Sequence, residues 1–357
     1  MSRPAARPAV VKDAAAALLP PDGLEVWLDD VLVGPLTHMG RLHREGKAVR
    51  FEYAAAWLAH PQAFSLDPEL QLSDGNFYPQ DSNFGVFLDS CPDRWGQTLM
   101  KRRELVEARQ QNRTHRTLTL WDFFLGVQDI TRMGALRFSP LQSERNLKKG
   151  PPPVFREGTC LANQALAAPA LTRLGELQAV AMELTRKKVE DLSLLEQWLR
   201  VLVAPGASLG GARPKANVQD GEGRLWIAKF PGADDDHDWA QREMLLHQMA
   251  TDFGLNVSPA HLERIGHGHH TFMTLRFDRH AGRRRFFTSA MALLGKSEHD
   301  ESTYLIDRGI DCTLLTVDPL IVESKATKRI LATWEAKARA LGISAEDRLE
   351  LKDCFQI

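Results

Sequence analysis

The stretch GASLGGARPKANV (206–218), followed by LWIAKFP (225–231), decides how this chain is read. The first string is a loop of small residues feeding a strand, Ala216-Asn217-Val218; small side chains let backbone N–H groups approach phosphate oxygens, and Lys215 adds a point charge. Glycine-rich turns before strands are common, so the loop alone specifies little. After an Asp220-Gly221 turn the second string reads as the returning strand, with Lys229 the one lysine among apolar neighbours. A lysine there is costly to bury unless a phosphate or a carboxylate accepts its charge. The next helix offers the carboxylate: it begins in Asp234-Asp235-Asp236, suited to an N-terminus by capping and dipole, contains Glu243 and closes at Gly254. The plainer alternative is a surface lysine and a solvated glutamate.

Upstream, Leu24, Val26 and Leu28, an Asp29-Asp30 turn, then Val31 and Val33 predict a β-hairpin ending at Gly34-Pro35. Val49, Phe51 and Tyr53 predict another strand after Glu45-Gly46, and helical text follows through Leu58. In FGVFLDSCPDRWGQTLMKRRE (84–104), Asp93 is placed to cap a helix that ends in basic residues. The Pro-rich run at 148–153 marks a domain boundary. Leu171 to Leu184 and Leu192 to Leu202 recur at helical spacing, as do Ile330, Leu331, Trp334, Ala338 and Leu341 ahead of Gly342.

The 357 residues, 43% hydrophobic and 25% charged, suffice for two or three subdomains. Lys+Arg number 45 against 46 Asp+Glu, so composition gives no electrostatic case for wholesale nucleic-acid binding. Cys91, Cys160, Cys312 and Cys354 are scattered and read as reduced structural thiols. Residues 1–23 read as a disordered tail, and no apolar run reaches the roughly 20 residues a bilayer requires, so a cytoplasmic location without membrane contact is expected. No metal site is expected: His267-Gly268-His269-His270 reads as an exposed turn and the Asp234–Asp238 run as a capped helix start. Lys101-Arg102-Arg103 and Arg283-Arg284-Arg285 read as solvated faces, with contact to a DNA backbone as the other option.

Loop, strand lysine and helix glutamate follow the order in which a kinase pairs Lys with Glu to place ATP phosphates. SLGGARPK, WIAKFP and LRFDR in this order, preceded by FGVFLDSCPDRWG and TRMGALRF, resemble the HipA-type serine/threonine kinase toxins of type II toxin–antitoxin systems, from about Leu24 to Gly295. The resemblance implies an α+β, HipA-like protein-kinase fold. Its expected parts are an N-terminal α/β subdomain at 24–147, a nucleotide-binding region at 148–278 and a reduced helical C-terminal lobe at 279–357. It implies ATP and Mg²⁺ as cofactors, with Gly210, Gly211, Ala212, Arg213, Pro214 and Lys215 at the triphosphate, Lys229 as the ATP lysine with Glu243 as its partner, and Leu275, Arg276 and Phe277 as the hinge. Ser208 matches the loop serine that is autophosphorylated. A helix-turn-helix antitoxin of HipB type is the implied partner, with DNA reached only through it, and a translation factor such as an aminoacyl-tRNA synthetase the implied substrate.

One part of the family pattern is missing. From Arg279 to Ile357 there is no asparagine, whereas the family places its Asp base, Asn and Mg²⁺-binding Asp beyond the hinge. Text resembling the family's sequence downstream of that loop resumes at Ile306 to Asp311, and ILATWEAKARALGIS resembles the last helix, so the pattern is that of an internal deletion. Neither His299-Asp300 nor Asp318 is followed by an amide ligand, so no catalytic residue is assigned.

Overall fold

The computed structural model describes residues 22–34, 36–141, 153–155, 170–185, 213–295 and 329–352. The tail at 1–21, the Pro-rich run at 148–152, the Leu192–Leu202 helix and Cys160, Cys312 and Cys354 lie outside the described residues.

The N-terminal module is a five-stranded antiparallel sheet of order β4-β3-β2-β1-β5, built from β1 (Gly23–Leu28), β2 (Thr37–Glu45), β3 (Ala48–Tyr53), β4 (Asn76–Phe77) and β5 (Leu136–Pro140). The strand after β1 starts later than the alternation of Val31 and Val33 predicts. Asp30 Oδ1 accepts the N–H groups of Leu32 (2.7 Å) and Val33 (3.2 Å), and its carbonyl accepts that of Gly34 (3.1 Å). This turn chemistry outcompetes local strand propensity, and pairing resumes only at Leu28↔Thr37. Between β3 and β5 run α1 (Ala55–Leu58), α2 (Gly85–Leu88), α3 (Arg94–Gln110) and α4 (Leu120–Leu125). Asp93 caps α3, accepting from Gly96 N at 2.8 Å. The helix continues past the basic residues 101–103, where Arg103 pairs with Glu107 one turn on. Trp57, Phe51, Phe84, Phe87, Phe124 and Phe138 fill the core, with Cys91 beside them; burial pushes its thiol up to about 12, the behaviour of an inert thiol.

The second sheet is antiparallel, order β6-β7-β9-β8, from β6 (Lys215–Gln219), β7 (Leu225–Lys229), β8 (Ala260–Glu263) and β9 (Thr271–Leu275). On it pack α5 (Leu174–Thr185), entered through a 3₁₀ turn at Leu171–Arg173, and α6 (Trp239–Asp252). The cap of α6 is Asp238, accepting from Gln241 N at 3.1 Å, and not the Asp234–Asp236 run; Asp235 turns instead to Arg213 and to Gly232 N (2.6 Å). The core of this half joins Leu177, Ala181 and Leu184 of α5 to Val218, Ala228 and Met273, and draws in Trp95, Leu99 and Val106 of α3. Thus α3 belongs to the first module in sequence and to the second core in packing.

Beyond β9 come the short hairpin of β10 (Arg279–His280) and β11 (Arg283–Arg284), α7 (Ala290–Leu293), and near the C-terminus α8 (Trp334–Ala340) and α9 (Ala345–Leu351). The Ile330–Leu341 stripe is not left bare. Ala338 and Ile343 pack on Leu245 and Met249 of α6, and Gly342 closes α8 at φ +79°. The α+β class expected from the sequence is the class observed. No helix among the described residues is long and apolar enough to cross a membrane.

Candidate functional site

The register of β6 and β7 sets Lys215 directly opposite Lys229. Side chains directly opposite one another share a face of the sheet, so two ammonium groups project together and each needs an anion. They obtain different ones. Lys229 Nζ bonds Glu243 Oε1 from the first turns of α6 and lies 5.4 Å from the centre of the Phe272 ring; both members of this pair remain about a third exposed. Lys215 is buried, and its Nζ lies 2.5 Å from Asp93 Oδ2 across the boundary with the N-terminal module, while Trp95 Nε1 donates to Lys215 O at 3.0 Å. Burial pushes the Lys215 ammonium down, an effect that Asp93 opposes and nearby Lys229 reinforces; burial likewise pushes the Asp93 carboxyl up. Asp93 therefore does two things at once: one oxygen caps α3 and the other holds a lysine more than a hundred residues away.

The remaining predicted residues are spread around this pair. Arg213 forks onto Asp235 (Nη1 to Oδ1 3.2 Å) with its guanidinium 5.8 Å from the Trp239 ring, and Pro214 O accepts from Phe230 N at 2.9 Å. Ser208, Gly210, Gly211 and Ala212 lie outside the described residues. At the other end of the sheet, Leu275 N donates to Pro259 O (2.9 Å) and Arg276 N to Leu225 O (3.0 Å), while Phe277 is half exposed and packs edge-on against Phe287. A cleft of about 860 Å³ opens beside Leu275 and Arg276, lined also by Asp129, Arg137 and Arg279. It begins at Leu225, four residues or roughly 13 Å along β7 from Lys229.

The Arg276 side chain is fully buried and faces the N-terminal module. Its Nε and Nη2 fork onto Asp278 (2.8 and 2.6 Å), Nη1 donates to Thr131 O (2.7 Å) and Asn217 Oδ1 (2.9 Å), and Nη2 also reaches Arg132 O (3.1 Å). Asp278 in turn accepts Gly134 N (2.7 Å) and Arg279 Nη1 (2.6 Å). Gly134 sits at φ +75°, a conformation glycine adopts without strain. The same locking continues downstream: Phe286 N bonds Asp30 and Ser289 N bonds Asp89, each at 2.6 Å. Of the basic run 283–285, Arg283 and Arg285 are exposed as the sequence predicts, and Arg284 is not. Arg283 donates to Asp30 O and Gly34 O, and Arg284 is buried against Asp129, because the module presents carbonyls and carboxylates to it.

Burial alone would raise the Asp278 carboxyl, but the charges of Arg276 and Arg279 and the bonds it accepts hold it below the ordinary range; Asp129, facing Arg284 and Arg137, is lowered in the same way. A carboxylate whose pKa is depressed by folding adds stability above its unfolded value, near 4, and loses it as pH falls through the folded value. We therefore expect the thermal midpoint to hold from pH 7 to about 5 and to fall steeply below about pH 4. A calorimetric pH series flat to pH 3 would count against these contacts.

His237, Asp347 and Glu350 bring ligand atoms within 4.8 Å of one another, but Arg242 Nη2 already bonds both carboxylates, so their charge is met by protein. His270, in the predicted turn, is held by Asp238 (Nδ1 to Oδ2 2.6 Å).

Fold and site together define an α+β protein in which an N-terminal module is locked onto a four-stranded sheet carrying a strand-lysine and helix-glutamate pair. Two family models match in succession, the HipA N-terminal domain over residues 24–122 and the HipA-like C-terminal domain over 207–330. The chain belongs to the HipA-like family. Among solved structures it is similar to HipA from Shewanella oneidensis MR-1 in a complex of HipA, HipB and operator DNA, with 15% identity and a TM-score of 0.45 over 77% of this chain. It spans 57% of that chain. No curated protein matches.

Proposed function

We propose that this protein is the toxin component of a type II toxin–antitoxin pair, that it binds ATP with Mg²⁺ and a helix-turn-helix antitoxin of HipB type, and that its phosphotransfer is impaired. The observation supporting nucleotide binding is the Lys229–Glu243 pair: a partly exposed ammonium on a central strand, oriented by a helix carboxylate, suits a phosphate oxygen in charge and in reach. Bound nucleotide supplies a transferable γ-phosphoryl group; Lys229 orients the phosphates and Glu243 orients Lys229. Lys215, on the same face and held by Asp93, contributes positive potential beside the site. Impaired transfer is supported by the sequence, because residues 279–357 contain no asparagine to complete an Asp/Asn metal set.

Millimolar Mg·ATP is expected to raise the thermal midpoint by a few degrees, since a ligand at about 100 times its Kd adds about 2.7 kcal/mol to native stability. Lys229→Ala should abolish the rise. No rise in the wild type sinks the nucleotide reading. Transfer of labelled phosphate to Ser208 or to a translation factor at ordinary kinase rates would instead establish an active serine/threonine kinase.

A further inference from the structure

The helix that carries Glu243 is gripped by a part of the chain that lies past residue 330, where the match to the C-terminal family domain ends. At its N-terminal end, Gln241 Nε2 donates to Leu341 O at 2.7 Å, and Arg242 Nη2 bonds Asp347 and, at 2.8 Å, Glu350 of α9. At its C-terminal end, Lys337 of α8 lies 2.8 Å from Asp252. Between these points Leu245 and Met249 pack on Ala338 and Ile343. The Arg242 side chain is nearly buried and its guanidinium lies 5.0 Å from the Trp239 ring, so it is fixed by stacking as well as by charge. Asp347 is fixed in its turn: it accepts from Ser344 Oγ at 2.9 Å within the cap of α9 and lies 2.6 Å from His237 Nδ1.

Arg242 and Glu243 are adjacent, so they project about 100° apart around one helix. A rigid helix held at Arg242 has a fixed rotation, and that rotation decides where the Glu243 carboxylate falls relative to Lys229. We infer that Arg242 is a positioning residue, through which α9 sets the reach of Glu243 to Lys229 and thereby the affinity of the site for a nucleoside triphosphate. The affinity clause rests on the nucleotide reading above; the positioning clause does not. With the anchor gone, α6 keeps its Asp238 cap, the Gln241–Leu341 bond and its apolar contacts, so it stays helical and docked while the turn that carries Glu243 loses its charged tether.

The test uses the full chain and two readouts. The first needs no ligand: the acetylation rate of Lys229, relative to Lys101 as internal reference, followed by peptide mass spectrometry well below the melting point of each variant. An amine whose Nζ is engaged by a carboxylate is less available to the reagent and reacts slowly. In Arg242→Met, which keeps the apolar stem and removes the charge, Lys229 should react about five- to tenfold faster, and Arg242→Lys, which can meet a carboxylate but cannot stack on Trp239 as a guanidinium does, should restore part of the protection. The second readout is the Kd for Mg·ATP, expected to weaken about tenfold in Arg242→Met and to recover in part in Arg242→Lys. A role confined to stability would lower the melting point and leave both readouts unchanged, and that result overturns the inference. Should Arg242→Met fail to fold, Glu350→Gln removes the more exposed of the two partners and is expected to speed Lys229 acetylation two- to threefold; no change there overturns the inference equally. Should the wild type bind no Mg·ATP, the nucleotide reading and the affinity clause fall, and the acetylation ratio alone decides whether Arg242 positions Glu243.

Discussion

Arg276→Met is expected to lower the thermal midpoint by on the order of 10 °C, the larger of the two greatest expected effects. The guanidinium is completely buried and makes five hydrogen bonds that no shorter or apolar side chain can replace. Removing one partner of a buried ion pair costs about 3–5 kcal/mol, chiefly through the charge left behind. Arg279 and Gly134 N still face Asp278 and soften that penalty, but Thr131 O and Asn217 Oδ1 lose their donor in a place water does not reach. Lysine should rescue less than half of the loss, because a point charge cannot fork onto a carboxylate and reach two further acceptors. Thermal and urea unfolding of the three proteins checks this. A midpoint for Arg276→Met equal to that of the wild type would show that the junction adds nothing to stability.

The second large effect is expected at Asp93. Asp93→Asn preserves the cap on α3, since an amide oxygen also accepts from Gly96 N, but leaves the Lys215 ammonium buried without its anion. A loss of about 3–5 kcal/mol is expected on the same principle. Lys215→Met alone should cost a similar amount by stranding the carboxylate. The double variant should recover much of it, because a buried pair replaced as a unit leaves no uncompensated charge. If the double variant is as unstable as the two single changes summed, the pair is not the reason for either loss.

These two joints also explain how far the sequence could be read. Strands with alternating or apolar text, such as Val49 to Tyr53 and Leu225 to Lys229, formed where their patterns place them, and so did α5 and α8, whose apolar stripes repeat at helical spacing. The proximity of Lys229 and Glu243 was legible because strand, turn and helix lie within about one supersecondary unit. What local text did not carry was the partner of each polar residue across the module boundary. Lys215 reads as a phosphate ligand, and its Asp93 lies over a hundred positions upstream; Asp93 reads only as a cap, which it also is. Arg276 reads as hinge, and Arg284 as surface, since nothing near them in sequence announces the carbonyls of residues 130–134 or the carboxylate of Asp129. The strings TRMGALRF and LRFDR are the two halves of one joint, as are PDRW and RPK of the other. The Asp234–Asp236 run misleads for a different reason. Several acids in a row all suit a helix start, but Asp235 is taken up by Arg213 and the cap is Asp238.

The seam at Asp278 also has a consequence for biosynthesis. A ribosome delivers the N-terminal module first, yet Asp30, Asp89 and Asp129 wait for Phe286, Ser289 and Arg284, which emerge some 150 to 250 residues later. Until then Asp30 and Asp129 keep only the partners they have inside the module, Leu32 N, Val33 N and Arg137, and Asp89 lacks Ser289 N, so final consolidation of the module is postponed until residues 276–289 have emerged. A ribosome-stalled chain halted just before Arg276 should therefore be far more protease-sensitive in residues 22–141 than one halted after Gly295.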